Sequence, residues 1–161
     1  MTDKKYVLVP GGRMGLYRVK ALRDFADVKA GDIGGMVEGE DNLSHEGDAW
    51  VYDEALVAGR GRVEGNAKVR GQASVITDRE WRGRAAMVYG NAVVKDSATV
   101  RKGGRVHGHA IVQDNGAVTG NAELSGTAVV RDHARAQGNV VFTEMVLSGN
   151  ERRNAMPNYG G

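Results

Sequence analysis

The chain has 161 residues, with 22 Lys and Arg against 20 Asp and Glu (formal charge +2), 24 Gly, two Pro, two Phe, two Trp and no Cys. That length suits one domain, and so few aromatic residues argue against an ordinary bulky core, whereas abundant Gly, Ala and Val point to many tight turns around a narrow interior. Without Cys there is no disulfide, thiolate metal site or Cys nucleophile, and the balanced charge excludes a non-specific duplex binder, so any anion site has to be local.

The opening stretch, MTDKKYVLVPGGRMGLYRVK, is basic but has no apolar run long enough for a secretory signal, and no later stretch is long enough for a membrane span. A cytoplasmic protein is the expectation. Residues 1–42 are read as an N-terminal cap, because the first coil of a solenoid needs its apolar end covered.

From residue 43 to 142 the sequence has a period of six. Val51, Val57, Val63, Val69 and Val75 recur at that spacing, and the series resumes at Val88 and runs through Val94, Val100, Val106, Val112, Val118, Leu124, Val130 and Ala136 to Phe142. A small residue usually stands two positions before each, as at Ala49, Ala67, Ala92 and Ala110, and Gly or Asp usually stands two positions after, as at Asp53, Gly65, Gly90, Asp114 and Gly138. Val favours an extended segment, and Gly, Asn and Asp tolerate the backbone of a corner. Three such segments predict a triangular coil of 18 residues whose successive turns stack by parallel strand pairing: an all-β fold.

This period, with A-x-V-x-G-N at its heart, resembles the hexapeptide repeat of left-handed parallel β-helix proteins. The resemblance implies the left hand, since parallel crossovers are otherwise nearly always right-handed, and it implies assembly as a homotrimer. LYRVKALRDFADVKAGDIGGMVEGEDNLSHEGDAWVYDEALV, residues 16–57, further resembles the opening of an uncharacterised family of bacterial and prophage hexapeptide-repeat proteins, which implies a phage or prophage setting. Residues 143–161 lose the period and are read as a C-terminal cap and tail, or as an arm that crosses to a neighbouring subunit.

Every third repeat should share a face, with the neighbours of each inward aliphatic pointing outward. The series is interrupted at ITDREWRGRA, residues 76–85. If the break hides one irregular rung and one extra residue, Leu56, Val93, Ile111 and Val129 form an external apolar column, the expected subunit interface, with Lys95 and Arg131 at its edge. A second face then interleaves Trp50, Tyr52, Lys68, Arg70, Tyr89, Arg105 and His107. Rings that stack on bases and cations that neutralise phosphates suit a small anionic, nucleotide-like ligand. Equally, such residues can be a solvated sheet surface. A third face, with Arg62, Glu64, Thr99, Arg101, Ala117, Thr119, Arg135 and Gln137, reads as solvent-facing. Arg79, Trp81, Arg82 and Arg84 in the break are further candidate ligand contacts.

Many hexapeptide proteins are acyltransferases that use a His as general base, so the resemblance makes His107 the candidate for acyl-coenzyme A chemistry. No acceptor loop of substantial length accompanies it. A zinc site shared between subunits would have to draw on His45, His107, His109 and His133, whose spacing does not converge. The preferred expectation is therefore a non-enzymatic trimer that captures its ligand in clefts between subunits, with no metal or cofactor and no membrane or specific nucleic acid polymer as partner. Acyl transfer and a purely structural, protein-binding solenoid are the alternatives.

Overall fold

A computed structural model describes residues 4–154. Its strands are short because the corners come early. The twelve Gly and Asp residues that follow the aliphatics by two positions between Asp53 and Gly138 all have positive φ, between 55° and 75°. In the rung of Val100, where neither residue is available, Lys102 takes the same conformation at 55°. Between such corners a rung of six holds two to four strand residues.

The result is a parallel hexapeptide-repeat β-solenoid. Val93 pairs with Ile111, and Ile111 with Val129, at a step of 18 residues. The inward residues, including Val51, Val57 and Val63 and the small residues Ala49 and Ala55 two places before the first two, are fully buried, and alternation of a large and a small side chain suits the narrow triangle.

Three flat faces surround this core. Face 1 is a nine-stranded sheet that stacks the rungs of Val57, Val75, Val100, Val118 and Ala136. Face 2 has five strands and stacks Val63, Val88, Val106, Leu124 and Phe142. Face 3 has six and stacks Val51, Val69, Val94, Val112, Val130 and Leu147. Parallel pairing continues past residue 142, through Val146–Leu147 and Arg152–Arg153. The end of the chain, residues 155–161, on which the expected crossing arm partly falls, lies outside the described residues.

The break differs from the sequence expectation. Val88 pairs with Val63, not with Val69, so no rung is hidden between Val75 and Val88; the thirteen-residue step is one ordinary rung plus a seven-residue insertion. The physical reason is that the insertion bulges from the corner between faces 1 and 2 instead of entering the core. Thr77 is buried there, its hydroxyl donating to the Lys102 carbonyl at 2.7 Å and accepting from the Ala86 N–H at 2.6 Å. Every outward residue beyond the break is therefore displaced by one face. Leu56 stacks with Met36 and Ser74 on face 1, whereas Val93, Ile111 and Val129 stack on face 3 above Lys68 and Trp50. Tyr89, Arg105 and His107 lie on face 2, apart from Trp50, Tyr52, Lys68 and Arg70 on face 3.

The N-terminal strands β1 (Tyr6–Val9), β2 (Tyr17–Ala21) and β3 (Ile33–Val37) form an antiparallel extension of face 1, and β3 then pairs in parallel with Leu56–Gly59. They fold over the first coil and donate to its free carbonyls. The Tyr6 hydroxyl donates to Leu43 O at 2.6 Å, and Lys5 Nζ donates to Ala49 O at 2.6 Å and Gly47 O at 3.3 Å. Unpaired carbonyls at a buried solenoid end would otherwise cost about 1–3 kcal/mol each.

Burial lowers the Lys5 ammonium from its usual 10.5 to about 8, with Arg23 contributing in the same sense. Between those two values the unfolded chain holds a proton that the folded chain has lost, so folding is favoured as the pH rises through that window. Thermal unfolding from pH 8 to pH 10 should therefore show the wild type gaining on Lys5→Met. Parallel curves for the two proteins would show that Lys5 keeps an ordinary pKa.

Candidate functional site

The residues expected to bind ligand separate into two groups. On face 3, Trp50 is buried and meets Tyr6 and Phe25 edge-on, with ring centroids 6.2 and 5.2 Å away. The Tyr52 hydroxyl donates to Asp27 Oδ1 at 2.6 Å, while Arg70 and Lys68 lie 3.6 and 3.9 Å from Asp27 Oδ2. Arg70 also covers the Tyr52 ring at 4.4 Å. The Tyr52 hydrogen bond, foremost, holds the Asp27 carboxyl below the usual range, and burial together with Asp27 pushes the Tyr52 phenol up. These four residues hold the cap's 25–28 turn against the first coils. Trp50, Tyr52 and Arg70 also line a hollow of about 300 Å³ beside that turn.

Face 2 and the insertion form the other group. Tyr89 and His107 are stacked in successive coils, with centroids 4.5 Å apart and planes 4° from parallel. Glu123, one coil further, reaches His107 Nε2 at 2.8 Å, and its other oxygen lies 3.5 Å from Arg84. A carboxylate only accepts, so Nε2 carries a proton, and in a neutral ring Nδ1 presents a lone pair. His107 and Glu123 are each about a quarter exposed, at 24% and 27%.

Arg84 is fixed by the corner it leaves: Nε donates to Gly103 O and a terminal nitrogen to Asn121 O, both at 2.9 Å. Trp81 stabilises the insertion by donating from Nε1 to Arg84 O at 3.0 Å, and Arg60 donates to the carbonyls of Trp81 and Gly83. Lys102 lies over the Trp81 ring at 5.5 Å. Arg79 turns away to pair with Glu38 at 2.6 Å, and Arg82 is exposed.

Beside this cluster is a hollow of about 500 Å³ bounded by Gly83, Arg84, Asn121, Glu123, Asn139 and Val141. Arg105 stands next to Glu123 in register, and its buried Nε has no hydrogen-bond partner among the described residues. Glu123, Asn121 and Asn139 were not among the expected ligand contacts, although the 18-residue step beyond the break already sets Glu123 beside Arg105 and His107.

Among the described residues no three His, Asp or Glu side chains are grouped to hold a metal ion. No helix of the described chain is long and apolar enough to cross a membrane.

No protein-family model matches the chain. Over 72 residues it is 36% identical to the uncharacterized acetyltransferase YdcK of Escherichia coli (strain K12), a match covering 41% of this chain and 22% of that protein. The similarity thus spans about a fifth of the relative's length.

Tyr52→Phe should weaken cap attachment by about 1 kcal/mol, the typical net worth of one hydrogen bond, and speed proteolysis within residues 10–30. Unchanged cleavage kinetics would mean that the Tyr52–Asp27 bond does not hold the cap.

Proposed function

We propose that the chain is a non-enzymatic homotrimer that captures a small anionic, nucleotide-like ligand at the face 2 hollow, in the cleft between subunits. The observation that carries this reading is a hollow of about 500 Å³ lined by Arg84, Asn121 and Glu123, with His107 bonded to Glu123, Tyr89 stacked on His107, and Arg105 next to Glu123 in register. Arg105 Nε is buried without a hydrogen-bond partner among the described residues, and a ligand oxygen would supply one. The stacked Tyr89–His107 pair supplies flat surface against which a base can lie, and the pairing of Glu123 with Arg84 and His107 offsets the one carboxylate in the hollow.

Trimerisation is supported by the column of Val93, Ile111 and Val129 on face 3, which Val146 extends at 49% exposure. In a phage-borne protein, the setting implied by the N-terminal resemblance, such capture would withdraw a host signalling nucleotide from its receptor.

Acyl transfer is the second reading. It is favoured by the Glu123–His107 hydrogen bond, which fixes the tautomer of a general base, and by the name of the E. coli relative. The acyl group would come from a bound thioester. Nδ1 of His107 would take the proton of the hydroxyl or amine as its oxygen or nitrogen bonds the acyl carbon, and return it to the thiolate released when the C–S bond breaks.

Native mass spectrometry of freshly purified protein separates the readings. The expected result is a trimer carrying a nucleotide-sized anion, with Ile111→Asp reduced to monomer because the substitution would bury an unpaired charge. A trimer that carries nothing, or acetyl turnover abolished by His107→Ala, would overturn capture.

A further inference from the structure

Correct stacking across the insertion changes the character of face 1. Arg62 and Glu64 belong to face 2, and from Leu56 upward the outward positions of face 1 carry no carboxylate: Ser74, Thr99, Ala117 and Arg135 follow in one column, and Ile76 and Arg101 begin the other. Thr119, one residue after the inward Val118, continues that second column.

Ala117 is the smallest side chain in the upper part of its column and is only 9% exposed. Around it Thr99, Arg101, Thr119 and Arg135 enclose a groove of about 320 Å³. Neither arginine has an ion-pair or side-chain hydrogen-bond partner among the described residues, unlike Arg18, Arg62, Arg79 and Arg84.

Glu151, whose backbone carbonyl accepts from the Arg135 N–H at 2.8 Å, turns its carboxylate to the Ser148 N–H and to Arg153, and the acids of the preceding corner, Asp96, Asp114 and Asp132, form a ladder. Each Oδ2 accepts the backbone N–H of the corner one coil on, at 2.9–3.1 Å. Those carboxylates are turned along the stack and bind neither arginine.

We propose that this groove is a second anion site, for a pyrophosphate-bearing small molecule such as a nucleoside diphosphate. The donor set is two guanidinium forks and two hydroxyls, which match phosphate oxygens. Arg101 and Arg135 stand two strands apart, about 10 Å along the stack, and on opposite outward columns, so they approach the groove diagonally from its two ends. A single phosphate reaches one fork; two linked phosphates laid across Ala117 reach both. The site lies on a different face from the Arg84–Glu123 hollow and does not depend on what that hollow binds.

Isothermal titration of the full chain with ADP and with inorganic pyrophosphate, in low salt, tests this. The expected result is that Arg101→Gln with Arg135→Gln weakens pyrophosphate binding at least about tenfold, whereas Arg13→Gln, an exposed substitution in the cap, leaves it unchanged. Thermal unfolding of each variant confirms that the exposed substitutions keep the fold. No binding to the wild type, unchanged binding to the double variant, or loss on Arg84→Gln instead would each overturn the proposal; the last would move the phosphates to face 2.

Discussion

Everything in this molecule depends on a corner that only a left-handed backbone can make, placed every six residues. An ordinary L-residue in that conformation costs about 1–2 kcal/mol, so Gly and Asp recur there, and the requirement differs between corners. After face 2 the corner residues are Gly65, Gly90, Gly108 and Gly126, and a Cβ on Gly108 would stand 2.7 Å from the backbone nitrogen of Gly126. After face 3 the spacing is looser, with 3.1 Å from Gly71 to Asp96 N. Asp53, Asp96, Asp114 and Asp132 occupy this corner, and their carboxylates bind the next coil's N–H. The steric difference assigns Gly to one edge and allows an Asp ladder along another.

Because the corners fix the register, they also determine which side chains can meet. Residues 18 apart are neighbours across the surface, and His107, Glu123 and Tyr89 come together for that reason alone. The insertion at 76–85 adds length at one corner and leaves the core untouched. It brings Arg84 over the edge of face 2, where the arginine joins a cluster whose other members come from three different coils. A stack of coils thus holds the cluster, and the insertion completes the candidate site.

The solenoid, its coil length and all twelve expected corners could be read from the sequence, since period and turn chemistry are local properties. The face map could not be read past residue 75. A thirteen-residue step is compatible with one rung and a large bulge or with two rungs and a small one, and only the pairing of Val88 with Val63 decides between them. That single choice separated Leu56 from Ile111 and Lys68 from Arg105, and it removed Glu64 from the company of Arg101. The cap contacts of Trp50, Tyr52, Lys68 and Arg70 were hidden for a different reason: their partners Tyr6, Phe25 and Asp27 lie in a cap whose fold has no period to follow.

Register across the insertion is the premise of every statement about faces, and the absence of native Cys allows a direct measurement of it. Glu64→Cys with Tyr89→Cys places two thiols on adjacent parallel strands, one residue after the paired Val63 and Val88, within the span of about 4.4–6.8 Å between Cα atoms that a disulfide needs. Mild oxidation should close an intramolecular disulfide in that pair, seen as a shift in monomer mobility on a non-reducing gel, and leave Arg70→Cys with Tyr89→Cys open. A disulfide in the second pair and none in the first would contradict the register and the sites built on it.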